Sequence, residues 1–157
     1  AIELKPNYPV AFNNLGNVLS VLKCNNFSEH LANSYLDVLN FGNIVKPAFL
    51  IGAIIRLLKH HDAIKEAISF KEQNAIKNVP PELLIRIAQI PLFIKIMQIC
   101  PIPDLEIEEI LTEFRKILLL NREKLSTSFE ILSFQSALAL QCFTNEFIYE
   151  ETKEEKE

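Results

Sequence analysis

The chain has 157 residues, 49% of them hydrophobic, and its scattered Lys and Arg with a net charge of −4 exclude the clustered positive charge of a nucleic-acid footprint. Its three glycines, Gly16, Gly42 and Gly52, are too few for a turn-rich sheet fold or for glycine-rich phosphate and dinucleotide loops. Its three cysteines, Cys24, Cys100 and Cys142, are odd in number and far apart, which fits neither a disulfide framework nor a zinc site and suits a reducing cytoplasm.

No basic head followed by an apolar run marks a signal peptide. The most apolar windows are 47–58 and 83–100. The first is too short to span a bilayer, and the second is interrupted by Arg86, Pro91 and Lys95, so both predict buried core helices and no membrane partner.

Taken in order, Pro9 suits the first turn of a helix, where a missing N–H costs nothing, and that helix is expected to run to about residue 22. Val10, Phe12, Leu15, Leu19 and Leu22 are assigned to its packed face, and Gly16 lets a neighbour approach closely. Ser28 is an N-cap for a second helix ending near Asn40, with Glu29 favourable to its dipole and Gly42 as its stop. Pro47 starts a third helix over 47–60, apolar on nearly every side and therefore central. Asp62 caps a fourth over 63–73, with Ile64, Ala67, Ile68 and Phe70 as its apolar set.

After a connector at 75–80, Pro81 opens a fifth helix, Pro91 breaks it, and a sixth runs over 92–99. Cys100-Pro101-Ile102-Pro103 forms a rigid corner. Asp104 caps an amphipathic seventh helix whose stripe is Leu105, Ile107, Ile110, Leu111, Phe114, Ile117 and Leu118. A connector follows at 121–128, then a short helical turn at 129–132 and a final long helix over 133–150. Phe134, Leu138, Gln141, Cys142, Asn145 and Ile148 lie near one stripe of that helix, and 151–157 is an acidic, frayed tail. No period-2 strand pattern of useful length occurs, so the expected fold class is all-α, built of eight or nine helices as antiparallel hairpins.

Chemistry-bearing constellations are scarce. His60 and His61 are adjacent, so on a helix they point about 100° apart and cannot share a metal. Glu108 and Glu109 sit on a solvated helix start, and Cys142 lies on an apolar stripe with no His nearby in sequence, a buried structural thiol. No catalytic, cofactor or metal residue is therefore assigned. Asn13, Asn14 and Asn17 are more informative: their amides can hydrogen-bond an extended peptide from both sides, although Asn is also simply common in this sequence. Gln141 and Asn145, one turn apart among apolar residues, either fix the last helix against another domain or face solvent.

The run Phe12-x2-Leu15-Gly16-x2-Leu19, preceded by Ala1-x4-Pro6, resembles the first-helix signature of the tetratricopeptide repeat following the close of an earlier repeat. The second helix departs from that pattern: His30 stands near the place of a small Ala, and no proline closes the unit. The stretch 1–42 thus resembles the terminal repeat of an array, where departures are expected. The segment 134–149, together with 43–47 and 57–61, resembles the helical spacer ahead of the methyltransferase domain in bacterial proteins that join tetratricopeptide repeats to an S-adenosylmethionine-dependent methyltransferase.

The resemblance implies a division into a terminal repeat at 1–42, a helical spacer bundle at 43–150 and a tail at 151–157. It implies a chain that starts inside a longer protein, with S-adenosylmethionine bound by a domain following Glu157 and none bound by this chain. Helix A of the repeat lines a concave groove, which places Asn13, Asn14 and Asn17 toward a protein or peptide partner, or an adjoining domain. The expected function is a non-catalytic interaction and positioning module of that methyltransferase. The alternative is a stand-alone tetratricopeptide adaptor; a self-contained helical enzyme is a third.

Overall fold

A computed structural model describes residues 8–42, 44–73, 79–120 and 128–144, and every regular element among them is an α-helix. The chain divides into two compact units, Ala1–His61 and Asp62–Glu157.

The first unit holds α1 (Pro9–Val21), α2 (Glu29–Asn40) and α3 (Pro47–Leu58), and each packs on the other two. Their boundaries follow local chemistry. Pro9 and Pro47 occupy first-turn positions, where the lost N–H is one that no helix bond needs. Ser28 caps α2, its Oγ accepting from the Leu31 N–H at 3.3 Å. Gly42 follows at φ +58°, a left-handed conformation that glycine adopts without a Cβ penalty.

The core of this unit is a wedge of Phe12 and Leu19 from α1, Tyr35, Val38 and Leu39 from α2, and seven of the twelve residues of α3. The unit runs to His61: the apolar faces of α1 and α2 need a third wall, and α3 supplies it. Gly16 sits beneath Val45, just ahead of α3; a Cβ there would lie 2.8 Å from a Val45 methyl carbon.

Two residues expected on the packed face of α1 face water instead. Val10 precedes Phe12 by two positions, about 200° around the helix, so burying Phe12 exposes Val10. Leu22 lies beyond the helix end, where the backbone has turned extended.

The second unit holds α4 (Asp62–Glu72), α5 (Pro81–Ala88), α6 (Pro91–Ile99), α7 (Leu105–Leu120) and α8 (Phe129–Thr144). Helix α4 packs on α5 and α7, α8 packs on α5, α6 and α7, and α5 packs on α6. Pro91 ends α5 and begins α6, because its ring cannot continue the earlier helix yet suits the first turn of the next. The Asp104 carboxylate caps α7 by accepting from the Ile107 N–H at 3.1 Å.

Leu105, assigned to the buried stripe of α7, is 77% exposed, since it too stands about 200° from Ile107. The short turn expected at 129–132 and the helix expected from 133 are one continuous helix. Ser128 is its N-cap, accepting from the Ile131 N–H at 3.4 Å, so the helix starts four residues before the predicted point, at Phe129. The parts of the expected last helix beyond Thr144, with Asn145 and Ile148, lie outside the described residues, as do the tail 151–157 and the proposed repeat close at Ala1 and Pro6.

Candidate interaction surface

Helix α1 turns two different faces. Phe12, Gly16 and Leu19 are buried and Leu15 is half-buried, so this side anchors the helix. Phe12 stacks on Phe41 with ring centroids 3.7 Å apart and planes 7° from parallel. The Tyr35 hydroxyl, wholly buried on α2, donates to the Leu19 carbonyl at 2.8 Å. The Leu19 carbonyl, in the last turn of α1, also accepts from the Leu22 N–H at 3.3 Å, so the two bonds share one end-of-helix acceptor. Burial, and next the nearby Cys24, push the Tyr35 hydroxyl up to about 12, with Arg56 pulling the other way.

The opposite face of α1 is open to water. Asn13, Asn14 and Asn17 are all exposed there, with Val10, Val18 and Val21. Going around the helix at about 100° per residue, Val10, Asn14, Asn17 and Val21 fall on one strip, with Asn13 and Val18 at its flanks. The three amides expected at a partner surface are thus brought together on one face. Each amide both donates and accepts, and the valines supply apolar contact between them. The sequence reading found the amides but missed Val18 and Val21, whose signal was their placement one turn from Asn14 and Asn17.

In the second unit, the polar residue that matters is Gln141 on α8, buried completely. Its Oε1 accepts from the Ile102 N–H at 3.1 Å, and its Nε2 donates to the Cys100 carbonyl at 3.2 Å and the Thr144 hydroxyl at 2.9 Å. Pro101 and Pro103 carry no N–H, so Ile102 is the single backbone donor of 101–103, and Ile102 is itself fully buried. The side-chain amide pairs with that corner as a neighbouring peptide unit would. Of the two expectations for Gln141, neither a separate domain nor solvent receives it; it fastens α8 to the α6–α7 corner of its own unit.

Ionic contacts lie on the outside. Lys71 pairs with Glu109, which raises the lysine's proton affinity through their hydrogen bond, and Arg86 meets Glu66 at 2.7 Å. Such exposed pairs contribute little. Cys142 is half-buried, whereas Cys100 is buried and its thiol is pushed up by that burial. His61 lies edge-on to Phe27, ring centroids 4.6 Å apart. Among the described residues no group of three His, Cys, Asp or Glu is placed to hold a metal ion, and no helix is long and apolar enough to cross a membrane.

Comparison with protein-family models, with curated proteins and with solved structures gives no match to this chain.

Proposed function

We propose that this chain is a helical interaction and positioning module whose contact surface is the outer face of α1. The observation that carries this reading is the mixed face itself: Asn13, Asn14 and Asn17 exposed among Val10, Val18 and Val21 on a helix whose other side is fixed by Phe12 and Leu19. An extended peptide offers alternating carbonyls, N–H groups and side chains, and a rigid helix bearing amides and small apolar residues complements all three. The packing of α3 on the α1–α2 pair supports a repeat-like assembly, because a single helical hairpin cannot bury its apolar face alone.

The resemblance of 1–42 to a terminal tetratricopeptide repeat, and of 134–149 to a methyltransferase-proximal spacer, supports a larger setting. There the module joins a protein-binding array to an S-adenosylmethionine-dependent catalytic domain and binds no cofactor itself. The cytoplasm suits it, since Cys24, Cys100 and Cys142 are not joined in disulfides.

Two measurements test the two parts separately. Peptides selected from a random displayed library against the chain should lose affinity by about tenfold when Asn13→Ala and Asn17→Ala are combined, with the melting temperature unchanged; equal affinity would remove α1 as the contact surface. Reading the gene past Glu157 should reveal a strand ending in a glycine-rich turn. A stop codon, or a domain without such a loop, would leave the stand-alone adaptor, which needs the same α1 face and nothing downstream.

A further inference from the structure

We draw no further inference here: the strongest candidate, the exposed apolar face of α8 formed by Phe129, Leu132 and Leu140, carries nothing, because nothing in the structure shows what covers it.

Discussion

Helices α1 and α8 are alike on the inside and different on the outside. Each is tied down by packed phenylalanine and by one buried polar side chain that satisfies main-chain groups: Tyr35 bonding the Leu19 carbonyl in the first unit, and Gln141 bridging Cys100 and Ile102 in the second. Outward, α1 shows amides interleaved with valines, whereas α8 shows phenylalanine and leucine placed symmetrically about a serine. An amide-bearing face keeps its hydrogen bonds with water until a partner offers replacements, so it favours a polar, directional ligand such as a peptide backbone. A bare apolar face gains from any dry cover. The same inner anchoring thus carries two different outer faces, set by what each helix shows to water.

If inner anchoring and outer recognition are separate, substitutions should divide cleanly between stability and association. The largest loss belongs to Phe12→Ala, which removes a buried ring stacked on Phe41 and should lower unfolding free energy by about 4 kcal/mol in urea titration. Gln141→Leu comes next, at about 3 kcal/mol, because it strands the buried Ile102 N–H and Cys100 carbonyl together. Should Gln141→Leu leave the unfolding free energy unchanged, α8 is held by apolar packing alone and the likeness between the two clasps fails.

Tyr35→Phe should remove about 1 kcal/mol at neutral pH. It also has a pH signature. The folded Tyr35 titrates near 12 against 10 unfolded, so between those values the unfolded chain has released a proton that the folded chain retains. Stability is intact below pH 10 and falls as pH rises toward 12, by about 2–3 kcal/mol, and the phenylalanine variant should lack that part of the alkaline decline. Chemical denaturation of both proteins across this window checks it.

Gly16→Ala gains helix propensity but drives a Cβ against Val45, for a net loss of about 1 kcal/mol. Val45→Ala in the same chain should recover part of that loss, giving a coupling of order 1 kcal/mol in a double-mutant cycle. The smallest effect on stability is expected from Asn13→Ala with Asn17→Ala, within about 0.5 kcal/mol, since both side chains are exposed. A larger loss would mean that the amides support the helix and are not free to serve a partner.

Much of the fold was legible in local chemistry. Ser28 and Asp104 announced helix starts through caps, and Pro47, Pro81 and Pro91 through first-turn chemistry, so most boundaries were found within a residue or two. The start of α8 was not, because a helix apolar on both sides offers no periodic contrast, and the cap at Ser128 was read as part of a connector. Val10 and Leu105 were placed on faces they oppose, since an apolar residue near a helix start is easily added to a stripe without counting its angle. The clasps were hardest. Gln141 could be flagged as needing partners, but those partners lie 39 and 41 residues away, and only the fold brings them together. The three amides of α1 were legible as candidates; their shared exposure required knowing that Phe12 turns inward.

The clasp at Gln141 also makes Ile102 a built-in gauge. Its N–H is the one backbone donor between two prolines, and it is held by a side chain on α8 rather than by a helix or strand of its own. That proton can exchange with solvent once α8 lifts from the corner, with no need for α6 or α7 to unwind. A single amide resonance, followed in deuterated buffer, would therefore report the undocking of the last described helix, and any ligand that presses α8 home would slow that one clock.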